Sequence, residues 1–225
     1  MSIEIYSVGD RGITVSVSGA VSLANQQKMW WLGAEIEKCE ALKNVIVDIV
    51  PGMNNLTLFL NPYHAHDPLE IRHYLTRLWQ DANDLDLSEI FQGKLVEVPV
   101  IYGGEKGPDL LEVAQIHQIS PEELVARHTA PIYTVYFVGF MPGFVYLGGL
   151  DSSIHTDRRA IPRLKIPAGS VGIGGSQTGV YPGESPGGWQ ILGNTDLSFF
   201  DMNREVPSLF LPGDQLRFIA KEVIV

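Results

Sequence analysis

The chain has 225 residues, 45% of them hydrophobic and 19% charged, with 26 acids against 16 bases, a formal charge of −10 and one cysteine. That apolar content excludes a disordered tail, and the acidic balance argues against a domain built for nucleic-acid phosphate or anionic lipid. Cys39 alone makes neither an internal disulfide nor a zinc cluster. No run approaches 18 apolar residues, and the start, MSIEIYSVGDRG, lacks a basic stretch followed by an apolar one. The expectation is a cytoplasmic protein without membrane span or secretory signal.

Residues 3–17 hold two β-like runs around Gly9-Asp10-Arg11-Gly12, a hairpin pattern. Ser22 then caps a helix whose stripe is Met29, Leu32, Ile36 and Cys39, which puts the cysteine on its buried face. Residues 45–50 and 56–60 read as strands about the turn Pro51-Gly52-Met53-Asn54-Asn55. Asp67-Pro68-Leu69-Glu70 starts a second helix, with a capping carboxylate, Pro at the first helical position and Glu two further on, and its stripe runs Ile71, Leu75, Leu78, Ala82, Leu85. The order strand, strand, helix, strand, strand, helix suits an antiparallel sheet with both helices on one face, an α/β sandwich of ferredoxin-like type over residues 1–92.

The polar segment 84–93 marks a domain boundary, and residues 93–225 form the second domain. Strand 95–101 and two short helices follow, the second opened by Ser120-Pro121-Glu122-Glu123. From Ile132 onward, short strands are cut by Gly and Pro every eight to twelve residues, the spacing of an all-β barrel or sandwich. Thirteen of the 23 glycines fall in residues 139–193. The fold class is therefore α+β.

Several sites are excluded. The one Gly-Lys pair, Gly93-Lys94, is followed by Leu95, so there is no P-loop. Gly172-Ile173-Gly174-Gly175-Ser176-Gln177 ends on Gln in a barrel context, which rules out a dinucleotide fingerprint. His64-Ala65-His66, in a Pro-flanked turn, is a weak metal signal and reads as a solvated turn; no metal is expected. Two features remain. Arg158, Arg159, Arg163 and Lys165 put four cations into eight residues with no acid among them, either an anion site with His155 three residues upstream as acid or base, or a solvated charge run. The tract 166–182 alternates apolar residues with glycines, either an anion-binding nest of amides beside Ser176, Gln177 and Thr178, or tight barrel corners. Trp189, after the turn Ser185-Pro186-Gly187-Gly188, is core or a platform at a barrel mouth.

The blocks at residues 137–150 (FVGFMPGFVYLGGL), 166–175 (IPAGSVGIGG), 177–182 (QTGVYP) and 185–190 (SPGGWQ) resemble the signature blocks of the KipI / allophanate hydrolase subunit 1 family. The likeness extends back through Val50-Pro51-Gly52-Met53-Asn54-Asn55 and Tyr102-Gly103-Gly104 to Gly107-Pro108-Asp109-Leu110, and so covers nearly the whole chain. It implies an N-terminal α/β domain and a cyclophilin-like β-barrel. Family members include one component of an ATP-dependent 5-oxoprolinase, which acts with a component resembling allophanate hydrolase subunit 2 and a LamB/YcsF-like component. The assembly converts 5-oxoproline, ATP and water to glutamate, ADP and phosphate, and the isolated chain is expected to be inactive. Phosphorylating the amide oxygen would make the lactam a better electrophile.

On that implication Arg159, Arg163 and Lys165 hold carboxylate or phosphate, and His155 handles protons. Gly172, Gly174 and Gly175 supply backbone donors, Gln177 and Thr178 orient substrate, and Trp189 joins the binding residues. The chain has no P-loop, so the ATP that the assembly uses is bound by a partner chain or shared with one. Two other readings stand beside this one: a KipI-like inhibitor of a sensor histidine kinase, and a carboxyltransferase-like component of a urea amidolyase or allophanate hydrolase system. The chain holds no biotin carrier sequence for the last.

Overall fold

The structure, a computed structural model, describes residues 2–64, 67–87, 90–91 and 93–225. The chain divides into two compact units, Met1–Gln92 and Gly93–Val225, each treated by itself. Of the His64-Ala65-His66 turn, Ala65 and His66 lie outside the described residues.

In the first unit β1 (Ile3–Val8) and β2 (Gly12–Val17) form a hairpin paired from Ile3↔Val17 to Val8↔Gly12. Helix α1 (Leu23–Lys38) leads to β3 (Ile46–Gly52) and β4 (Asn55–Leu60), and helix α2 (Pro68–Asn83) follows. The strand order is β1-β2-β4-β3, antiparallel throughout. Alternation along β2 and β4 sends Ile13, Val15, Val17, Leu56, Leu58 and Leu60 to one face, where they meet Met29, Leu32 and Ile36 of α1 and Ile71, Leu75, Leu78 and Ala82 of α2. Each fully buried Leu or Ile here is worth roughly 1.5–3 kcal/mol.

The caps are as the sequence predicts: Ser22 accepts from Asn25 N–H and Asp67 from Leu69 N–H. Two stripe ends differ. Cys39 is not on the helix; its N–H turns back to the Ile36 carbonyl, it takes an extended conformation as the C-cap, and it is half-buried. Leu85 lies beyond the end of α2 and is exposed. Both mistakes follow from continuing a periodicity past the turn where the helix has stopped.

The second unit is a closed barrel of seven strands. They are β5 (Leu95–Gly103), β6 (Tyr133–Val138), β7 (Val145–Gly148), β9 (Ser170–Gly174), β10 (Gln177–Val180), β12 (Gln190–Asn194) and β13 (Gln215–Ile224), and a separate two-stranded ribbon pairs β8 (Arg163–Ile166) with β11 (Ser185–Gly187). The barrel order is β10-β7-β6-β13-β5-β12-β9, with β9 and β10 paired to close it. β5 and β13 run parallel from Leu95↔Gln215 to Gly103↔Ile224; the other barrel pairs are antiparallel. Helices α3 (Leu110–Ile116) and α4 (Pro121–Thr129) add Leu110, Val113, Leu124 and Val125 to the barrel core. Among the described residues no helix is long and apolar enough to cross a membrane.

The glycine-rich tract has a packing cause. A Cβ on Gly174 would overlap the indole of Trp189, which is 4% exposed and packed edge-on against Phe144 at 5.4 Å. Gly174→Ala is therefore expected to lower stability by about 1–3 kcal/mol through overpacking. Thermal unfolding followed by Trp fluorescence measures it, and an unchanged midpoint would mean that the indole gives way freely.

Candidate functional site

The basic run begins just after a 3-10 turn (Ser152–Ile154) and ends in β8. Its cations do not face solvent alone. Asp109, at the N-terminus of α3, is 1% exposed and takes both arginines. Arg163 grips it with two nitrogens, Nη1 on Oδ2 at 2.8 Å and Nη2 on Oδ1 at 2.6 Å, while Arg159 Nη1 donates to Oδ1 at 2.9 Å. The fourth bond comes from the Ile191 N–H in β12, at 2.6 Å on Oδ2. Asp109 N–H in return donates to the Ile191 carbonyl. The carboxylate thus ties α3, the basic loop, β8 and β12 into one node. Arg159 also reaches Glu112 at 3.4 Å.

A cavity lies on each side of this node. The larger, about 740 Å³, is walled by Arg158, Arg159, His155, Glu112, Gln190 and the Gly175-Ser176 turn, with Ile116, Ala160 and Ile161 among its apolar lining. The smaller, about 370 Å³, is walled by Glu105, Lys106, Arg163, Lys165, Ser170 and Asn194 among others. Of the sequence-predicted residues, His155, Arg159 and Gly175 meet in the first cavity, and Arg163 and Lys165 in the second. His155 is exposed, its Nε2 3.3 Å from the Leu150 carbonyl. Lys165 pairs with Glu184 at 2.8 Å, both largely exposed. Arg158 has no carboxylate partner among the described residues.

Gly172, Gly174, Gln177, Thr178 and Trp189 line neither cavity. Gly172 and Gly174 sit in β9 between β10 and β12, so their amides serve the sheet ladders, and the Gly175 N–H donates to the Thr156 carbonyl at 2.7 Å. The glycine amides therefore form no anion nest. Thr178 is fully buried, its hydroxyl donating to the Gly172 carbonyl at 2.9 Å and standing 2.8 Å from His128 Nε2. Gln177 Nε2 is buried with no partner. Trp189 belongs to a core cluster with Phe144, Tyr181 and Ile191. Burial pushes the Tyr181 phenol up to about 12, opposed by a hydrogen bond at the Trp189 backbone and by the Arg158 charge, so it is a neutral donor at pH 7. Among the described residues no group of three or more His, Cys, Asp or Glu is placed to hold a metal.

The family described as "Carboxyltransferase domain, subdomain C and D" matches residues 3–210. The chain belongs to that family. A protein of Haemophilus influenzae, named as the B subunit of 5-oxoprolinase, is 44% identical over 98% of this chain and 99% of its own length. One of the same name from Escherichia coli O157:H7 is 44% identical over 96% and 95%. Among solved structures, TTHA0988 is 34% identical with a TM-score of 0.75, covering 94% of this chain, which spans 40% of that longer one. The Kluyveromyces lactis urea amidolyase, 18% identical with a TM-score of 0.80 over 98% of this chain and 15% of its own, shares the fold.

Within this carboxyltransferase-family chain, Asp109 and Gln190 are the site residues that sequence reasoning missed. Asp109 carried a readable signal, Gly-Pro-Asp ahead of an apolar helix. Its role as counter-ion to a run 50 residues downstream carried none, because that pairing is made by the barrel. Gln190 showed no signal beyond its place in a glycine-rich block.

Proposed function

We propose that this chain is the B subunit of an ATP-dependent 5-oxoprolinase, acting in a complex that opens 5-oxoproline to glutamate at the expense of ATP and inactive by itself. The observation that carries the reading is the name shared by relatives 43–44% identical, including one from Bacillus subtilis, over 77–98% of this chain. The partners are a chain resembling allophanate hydrolase subunit 2 and a LamB/YcsF-like chain. In keeping with it, the chain matches only 40% of the length of TTHA0988, as one part of a larger whole would.

ATP is not assigned to this chain. A triphosphate needs several unpaired cations, whereas Arg159 and Arg163 share the Asp109 carboxylate, Arg159 also meets Glu112, and Lys165 pairs with Glu184, so that of the run only Arg158 lacks a carboxylate partner among the described residues. That donor set does not fit, and the nucleotide falls to a partner chain. The chain's own contribution lies at the two cavities, where His155, Arg159, Arg163 and Lys165 are the groups able to orient or protonate a small polar substrate.

We also read the first unit as ferredoxin-like and the barrel as cyclophilin-like. In support of the former, starting the first unit at β2 gives strand, helix, strand, strand, helix, strand in the spatial order 4-1-3-2, a circular permutation of the split βαβ sandwich.

The test is 5-oxoproline-dependent ADP release by the purified chain, alone and with both partner chains; turnover is expected from the full set only. Arg163→Ala with Lys165→Ala is expected to cut that turnover at least tenfold, the scale of about 1.4 kcal/mol in a barrier. Lys165→Ala alone tests the cavity charge without touching the node, since its exposed pair contributes about 0–1 kcal/mol, and because Arg163→Ala also breaks the Asp109 pair, turnover of the double variant is read below its own unfolding midpoint. Full turnover by the double variant would sink the assignment of these residues.

A further inference from the structure

The smaller cavity, about 370 Å³, lies among β8, β9, β12 and the loop ahead of α3. In β9 the side chains of Val171 and Ile173 belong to the barrel core, so alternation turns Ser170 outward into this space. Ser170 is 1% exposed, and its main-chain groups are bonded, N–H to the Pro167 carbonyl and C=O to the Tyr181 N–H. Its Oγ makes no hydrogen bond among the described residues. Nor is it one of the unbonded atoms closed to water, which are Arg159 Nε, Gln177 Nε2, Gln190 Oε1 and Arg217 Nε. The little surface that Ser170 keeps therefore includes the hydroxyl. A buried hydroxyl left unmet costs about 1–3 kcal/mol, and a ligand oxygen in the cavity removes that cost.

The strand register sets what stands beside it. Asn194 of β12 is the cross-strand partner of Ser170, which brings their Cβ atoms to roughly 4.5–5.5 Å on one face. Asn194 Nδ2 donates to the Ala168 carbonyl at 2.9 Å, and Asn194 Oδ1 accepts a long bond of 3.5 Å from Lys106 Nζ. The free hydroxyl and the Lys106 ammonium thus flank one side chain. Of the three cations in the wall, Arg163 is held by Asp109 and Lys165 by Glu184, whereas Lys106 has no carboxylate partner among the described residues.

Charge and lining then select the ligand. One negative charge balances Lys106, while a second would meet Glu105 in the same wall. The carbonyls of Pro167, Ala168 and Ile191 are already bonded, to Ser170 N–H, Asn194 Nδ2 and Asp109 N–H, so a ligand N–H finds them taken. Apart from its polar groups the lining is Pro108, Ile166, Pro167, Ala168 and Ile191, which suits methylenes.

We infer that the smaller cavity binds a short aliphatic monocarboxylate, one oxygen accepting from Ser170 Oγ–H and the charge resting on Lys106. The class follows from the cavity and does not rest on the 5-oxoprolinase reading. It differs from both small molecules of that reaction, since a lactam adds an N–H and glutamate adds a second carboxylate.

The experiment is an NMR titration of the full chain with butyrate at constant ionic strength, following the Asn194 side-chain amide and the Ser170 N–H, beside butyramide and inorganic phosphate. Saturable shifts at both signals are expected with butyrate, and binding about tenfold weaker or worse with the neutral amide and with phosphate. Lys106→Met, at an exposed position, is expected to weaken butyrate by about tenfold. Ser170→Ala is expected to weaken it too, with no drop in the unfolding midpoint, because the hydroxyl it removes has no partner. Absence of saturation, equal affinity for butyramide or phosphate, or parental affinity in both variants would overturn the site. If the assembled complex turns over 5-oxoproline while butyrate leaves these signals still, the inference falls and the functional reading stands. If butyrate binds as described and the full set of chains releases no ADP, the reading falls and the site stands.

Discussion

Asp109→Ala is expected to lower the free energy of unfolding by about 3–5 kcal/mol, the scale of removing one partner from a buried ion pair. The carboxylate is 1% exposed and accepts four hydrogen bonds, three from arginine nitrogens and one from the Ile191 N–H. Its loss leaves two guanidinium groups facing each other and an unmet amide inside the barrel wall. The arginine side chains are 30% and 27% exposed and turn partly to water, which holds the cost near the lower end of that range. Asp109→Asn keeps an acceptor for Ile191 and loses the charge, so it should fall between alanine and the parent. Urea unfolding measures this as a shift in midpoint at constant slope. An alanine variant within about 1 kcal/mol of the parent would show that the node is solvated and that the arginines are available to a ligand without it.

That node also shows where sequence reading stops. Caps are local: Ser22, Asp67 and Ser120 each bond an N–H two or three residues on, so side-chain chemistry and spacing suffice to place the helix starts. The hairpin of β1 and β2 is equally local. Nothing local pairs Leu95 with Gln215, yet that parallel contact of β5 with β13 runs the length of both strands. The same holds for the site. A basic run is visible as composition, but whether its charges are free depends on which acid the topology delivers, and here Asp109 arrives from the start of α3. The glycines mislead for a related reason. An amide nest and a crowded strand have the same composition, and they differ only in whether neighbouring strands claim the amides, as β10 and β12 claim those of β9.

The second large effect concerns acid stability and sits inside the barrel, away from both cavities. His128 is fully buried, stacked on Phe218 at 4.7 Å, with Tyr102 Oη 2.8 Å from Nδ1 and Thr178 Oγ1 2.8 Å from Nε2. The Thr178 hydroxyl proton is committed to the Gly172 carbonyl, so Thr178 accepts from Nε2–H and Nδ1 accepts from Tyr102. Tyr133 completes the shell by donating to the His128 carbonyl at 2.7 Å. The network is satisfied only by a neutral ring, and burial pushes the imidazole down to about 3. A histidine depressed in the folded state leaves stability unaffected above its unfolded value near 6.5. Below it the unfolded chain takes a proton that the folded chain refuses, so stability falls by about 1.4 kcal/mol per pH unit until pH nears 3.

His128→Gln abolishes that titration. At pH 7 the variant should be less stable than the parent, having lost the stacked ring. Between pH 7 and 4.5 the gap should narrow by about 2–3 kcal/mol as the parent alone gives up its histidine contribution. Urea unfolding of both proteins across that range reads the difference directly, with the shared carboxylate titrations cancelling. Parallel curves would mean that His128 accepts a proton at Nδ1 within the folded barrel, with the Tyr102 bond reversed so that Nδ1–H donates to the phenol oxygen while the bonds from Nε2–H to Thr178 and from Thr178 to Gly172 stay as they are.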